Sequence, residues 1–137
     1  MITTLAEPVS SHWQRSTSYL ASADWLREAL AGLQRLADFP EDWDGYGSPA
    51  LTGEAIGQAR QVILELARAG VLSPDIRPVS GGGVQLEWRH AGRELELGIL
   101  PNGDLEFLVV LDGNHMVEGA LPRTDFASKL FDWVFGA

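Results

Sequence analysis

Four glutamates and one arginine in a short stretch are the residues best spaced to do chemistry. Glu87, Arg89, Glu94 and Glu96 alternate with apolar side chains, and Glu106 follows after a turn. In a strand, alternation sends every second side chain to the same face. Carboxylates gathered on one face can bind a hard cation through oxygen or attract a basic partner. Without an ordered loop they make a poor cation cage, so Glu87 and Glu96 are only weak metal ligands and no cofactor is expected. The plainer reading is a solvated strand face.

The other reactive side chains form no set. His12, His90 and His115 are scattered, and no His-x-x-x-His spacing occurs. There is no Gly-x-Ser-x-Gly elbow for a serine nucleophile. The chain has no cysteine, which removes disulfides, thiolate metal sites and a cysteine nucleophile. No catalytic residue is assigned. Gly81-Gly82-Gly83 precedes an alternating strand, not a helix carrying Gly-Lys-Ser/Thr, so the glycines read as a strand lead-in and not a nucleotide cradle.

A third group is compact. Trp43-Asp44-Gly45-Tyr46-Gly47 lies between Pro40 and Pro49, each of which fixes its own φ and turns its predecessor away from helix. Asp44 can accept from backbone N–H groups just ahead of it, and the glycines allow positive φ. Trp43 and Tyr46 can anchor the loop by burial or stack on a sugar or base. Burial of the aromatics is the expectation.

Elements must hold these groups. Leu26, Ala29, Leu30, Leu33, Leu36 and Ala37 recur at helical spacing, which predicts a helix from Ser22 or Asp24 to Ala37. Residues 1–17, rich in Ser and Thr with Trp13 as the one aromatic side chain, read as a flexible arm or strap. Thr52 caps a second predicted helix with Ile56, Ala59, Val62, Ile63, Leu66 and Ala67 on its apolar stripe and Gly70 at its end. Pro74–Ser80 is a lead-in.

Two turns set the strand register. Ala91-Gly92 as a two-residue loop places Val84, Leu86 and Trp88 opposite Ile99, Leu97 and Leu95. At Pro101-Asn102-Gly103, a two-residue Asn-Gly turn would mix the faces. A three-residue loop with Gly103 left-handed pairs Ile99, Leu97 and Leu95 with Leu105, Phe107 and Val109. Glu87 then faces Glu96, Arg89 faces Glu94, and Glu106 faces Gly98. The same face turns apolar at Leu108 and Val110. Together with Glu94, Glu96 and Glu106 these form a candidate interface, unless the last helix covers them. Asp112-Gly113-Asn114 is a further turn, His115–Leu121 a fourth strand of open register, and Thr124 caps a last helix bearing Phe126, Leu130, Phe131, Trp133 and Val134. The whole is a single α+β domain, 1–137, in two layers: two N-terminal helices, an antiparallel meander of three to five strands and a C-terminal helix.

This pattern resembles a family of small, mostly uncharacterised bacterial proteins. The likeness lies in Trp43-Asp44-Gly45-Tyr46-Gly47, then Pro49, a helix, and a Pro-containing approach to Gly-Gly and Val84-Gln85-Leu86-Glu87-Trp88. It spans about Leu36–Ile99. The resemblance implies a bacterial origin and carries no activity or catalytic residues.

Charge narrows the partners. The formal net charge is −9, with a single lysine, Lys129. Nucleic acids and anionic membranes call for a basic footprint, which the composition lacks. The start of the chain lacks a signal-peptide pattern, and the longest aliphatic–aromatic run, Phe107–Leu111, is five residues, far short of a membrane span. The expectation is a cytoplasmic, non-catalytic interaction module. It would be an acidic accessory, immunity or antitoxin-type partner of a more basic protein, with a homo-oligomer also open. The alternative is a small ligand- or metal-binding domain or enzyme on the Glu87, Glu96 and Glu106 face.

Overall fold

A computed structural model describes the backbone of residues 12–113, 115–122 and 126–136, and the side chains among these from Trp25 onward. The elements are α1 (His12–Ala37), α2 (Gly53–Arg68), β1 (Asp75–Val79), β2 (Gly83–His90), β3 (Arg93–Ile99), β4 (Leu105–Leu111), β5 (His115–Leu121) and α3 (Phe126–Phe135). The strands form one antiparallel sheet in the order β1-β2-β3-β4-β5.

Helix α1 starts well ahead of the expected Ser22 or Asp24 cap, so 12–17 is helix and not arm. Serine and threonine cost a helix only about 0.5 kcal/mol each relative to alanine. With no Pro or Gly between His12 and Ala31, nothing in that segment stops the helix. Residues 1–11 of the expected arm and the Thr124 cap lie outside the described residues. The predicted stripe is present: Ala29, Leu33 and Leu36 are buried. Trp25 joins them and donates its indole N–H to the Val71 carbonyl at 3.1 Å.

Helix α2 follows its sequence signals closely. The Thr52 hydroxyl accepts from the Ala55 amide at 3.0 Å. At the other end Gly70 has φ +74°. The Gly70 amide donates to Ala67 and the Val71 amide to Leu66, the paired bonds of a Schellman stop. Ile56, Ala59, Val62, Ile63 and Leu66 are buried.

The sheet register is the one the turns predict. Leu86 faces Leu97, Leu97 faces Phe107, and Leu95 faces Val109. Gly103 takes φ +91° in the three-residue loop. Strand β1 replaces the expected lead-in, with Pro78 opposite Val84. A proline without an N–H is tolerated there because β1 is an edge strand. Gly83 is forced by a close approach: a Cβ would stand 2.6 Å from the Ile99 carbonyl oxygen.

Helix α3 packs on the same sheet face as α2. Phe131 meets Trp88 edge-on at 5.6 Å, and Arg93 donates to the Val134 carbonyl at 2.8 Å. Val84, Leu86, Leu95, Leu97, Ile99 and Val109 are buried beneath the helices. Hence the helices share one layer, and the reverse face of the sheet has none of them on it. No helix among the described residues is long and apolar enough to cross a membrane.

Candidate functional site

Three side-chain rows cross the reverse face, as strand pairing dictates. One runs Arg77, Gln85, Gly98, Glu106, Ala120. The next runs Asp75, Glu87, Glu96, Leu108, Glu118. The third runs Arg89, Glu94, Val110, Met116. The candidate interface residues Leu108, Val110, Glu94, Glu96 and Glu106 therefore do share one face. Residues without bulk dent it. At Gly98 a Cβ would stand 3.1 Å from Glu106 Cγ, so its absence lets Glu106 lie across the sheet. The result is a groove of about 380 Å³ lined by Gln85, Glu96, Gly98, Glu106, Phe107, Leu108, Glu118, Gly119 and Ala120.

The carboxylates are not equal. Gln85 donates its amide to Glu87 at 2.6 Å and to Glu96 at 3.4 Å. Arg77 pairs with Glu87 at 3.5 Å, and Arg89 with Glu94 at 3.4 Å. The Glu87–Glu96 clash is thus eased from within, by an amide and an arginine on the neighbouring edge strand. Glu96, Glu106 and Glu118 have no ion-pair partner among the described residues. Burial raises the Glu96 pKa above its ordinary value. The charges of Glu87 and Glu94 raise it further, and Arg89 works against them.

Metal chemistry finds little to work with. Among the described residues no three carboxylate or imidazole groups come together as a cation site. Glu87 and His90 stand at Glu-x-x-His spacing, but on strand β2 that spacing sends them to opposite faces. His115 is exposed on β5.

The Trp43–Gly47 loop is a second ordered feature. Asp42 takes φ +61°, and its carboxylate accepts from the Gly47 amide at 2.6 Å. Asp44 accepts from the Tyr46 amide at 2.9 Å, from the Ser48 hydroxyl at 2.5 Å and from the Ser80 hydroxyl at 3.2 Å. These bonds, the Ser48 hydroxyl foremost, lower the Asp44 pKa to about 2. Trp43 is half-buried; it packs on Phe39 at 5.5 Å and donates to the Pro49 carbonyl at 3.1 Å. Tyr46 is 92% exposed, against the expectation that both aromatics are buried. Paired carboxylates fasten this loop, so it folds without the second ring.

No family model, curated protein or solved structure matches this chain.

Several residues of the open face were not anticipated from sequence. Arg77 was hidden in a strand that Pro78 disguised. Glu118, Ala120 and Met116 join the face only through the β4–β5 register, in which Val109 pairs with Val117. A usable signal existed: placing Val117 among apolar core partners would have sent Met116, Glu118 and Ala120 outward.

Proposed function

We propose that this chain is a non-catalytic interaction module, an acidic accessory, immunity or antitoxin-type partner of a more basic protein. The observation that carries the reading is the open sheet face. The helices of the described residues use the other side, and the open side joins an apolar strip of Leu108, Val110 and Met116 to Glu96, Glu106 and Glu118, which have no ion-pair partner among the described residues. Apolar area supplies the driving force of association, and complementary charge supplies rate and selectivity. A chain of net charge −9 offers that charge to a cationic surface. A bacterial origin, membership of the family with the Trp43–Gly47 loop and residence in the cytoplasm belong to the same proposal.

The test is paired affinity capture from the native host with wild type and the Glu106→Lys/Glu118→Lys variant as baits. The reading requires a protein with a basic surface that the wild type retains and the variant loses. Equal capture by both baits overturns it.

One competing reading is a small ligand- or metal-binding domain or enzyme on the Glu87, Glu96 and Glu106 face, of which Glu96 and Glu106 line the groove. About 380 Å³ falls within the range of small-molecule sites. A rise in melting temperature with calcium, magnesium or manganese, abolished by Glu96→Gln, would establish it in place of the first.

A further inference from the structure

We infer that the partner docks by adding an extended strand to the free edge of β5, with basic side chains over Glu118 and Ala120. The inference rests on the interaction reading above and adds its mode and its chemistry.

The two edges of the sheet are built differently. β1 is five residues long, carries Pro78 and Arg77, and has α1 against it. Short length, proline and charge are the devices that blunt a strand edge against pairing. β5 has seven residues, His115–Leu121, with no proline, lysine or arginine. Among the described residues no strand pairs with its outer side. Such an edge presents a row of backbone donors and acceptors to an incoming chain.

The side chains say which chain would fit. An added strand lies about 4.8 Å beyond β5 and continues its rows. Ala120 is small, and behind it in the same row stands Glu106. A lysine or arginine beside Ala120 can reach over that methyl group into the groove. Two residues along the strand, a second basic side chain meets Glu118 directly. Two further along, an apolar side chain meets Met116, which is 59% exposed. An antiparallel segment therefore reads basic-x-basic-x-apolar. A second copy of this chain fits poorly, because it brings another −9 and another Glu118 to the seam.

The probe is an acetylated, amidated peptide, Ser-Thr-Arg-Thr-Arg-Thr-Leu-Thr-Ser. Its controls are a version with both arginines replaced by glutamate and a version N-methylated at alternate residues. N-methylation keeps the charge and removes strand hydrogen bonding. Amide exchange across 115–121 is followed by NMR at millimolar peptide. The arginine peptide is expected to slow β5 exchange at least tenfold, both controls to leave it unchanged, and Glu118→Lys to abolish the effect. If the arginine and N-methylated peptides perturb the groove equally with no slowing at β5, strand addition is wrong and the acidic-face reading survives. If arginine and glutamate peptides behave alike, the basic chemistry fails for both. Slowing that appears without peptide and grows with protein concentration overturns the inference in favour of a second copy.

Discussion

The hydroxyl of Ser80 donates to the carboxylate of Asp44 at 3.2 Å, joining the turn between β1 and β2 to the loop between α1 and α2. Ser48, itself buried, completes the cluster, with its hydroxyl 3.2 Å from that of Ser80. One ionised carboxylate thus ties the helical layer to the sheet. Its pKa, about 2, lies below the ordinary 3.8. A carboxylate depressed by folding contributes stability that is present above the unfolded value and lost as pH falls through the folded one. The urea midpoint of the wild type is therefore expected to fall between about pH 4 and pH 2 more steeply than that of Asp44→Asn. Parallel curves for the two proteins would remove Asp44 from this role. Ser48→Ala should cost about 1 kcal/mol at neutral pH.

The two aromatic residues of the same loop should behave differently. Trp43 is half-buried with a hydrogen-bonded indole, so Trp43→Ala should cost about 1–3 kcal/mol, less than the loss for a fully buried ring. Tyr46 is exposed, and Tyr46→Ala should lie within about 0.5 kcal/mol of wild type. Denaturant midpoints check both. A large loss at Tyr46 would mean that its ring is covered in solution.

Glu96 titrates in the opposite sense to Asp44. Its pKa is raised, chiefly by burial and then by Glu87 and Glu94. The folded state then holds the proton more tightly than the unfolded chain. Ionising Glu96 costs stability as pH rises through the raised value, and protonation restores it below. Glu96→Gln should therefore raise the melting temperature at neutral pH. The gain should shrink as pH falls through the carboxylate range. A gain independent of pH would point to packing and not to charge.

The turn between β2 and β3 stores local strain. Ala91 has φ +54° and Gly92 φ +79°, a two-residue turn that favours asparagine in the first place. A left-handed alanine costs on the order of 1 kcal/mol. Ala91→Asn should stabilise the protein by about that amount in urea unfolding, without altering the register. A destabilised variant would show that the alanine methyl group is needed for packing.

Much of this fold was legible because turns and burial agreed. The loop at Pro101-Asn102-Gly103 admits one register that keeps Leu95, Leu97 and Ile99 on a single face, and the strands adopt it. Thr52 and Gly70 marked the ends of α2 in the same way. The start of α1 was not legible, since serine and threonine neither forbid a helix nor end one. β1 was hidden by Pro78, whose missing N–H matters only inside a sheet. The candidate face was half legible. Glu87, Glu94, Glu96, Glu106, Leu108 and Val110 follow from two turns, whereas the side that α3 covers depends on long-range packing. Arg93 reaching the Val134 carbonyl has no local sequence signal.

Leu108 puts the account to its most direct test. It stands between Glu96 and Glu118 in the middle of the open face. Leu108→Lys places a cation between two carboxylates, where a solvated face accepts it and a basic partner is repelled. The measurement is capture of the partner by the folded variant, with its melting curve and sedimentation recorded on the same sample. A melting temperature within about 8 °C of wild type, a folded protein and loss of the partner are expected. A variant that unfolds, or one that folds and keeps its partner undiminished, would contradict this expectation.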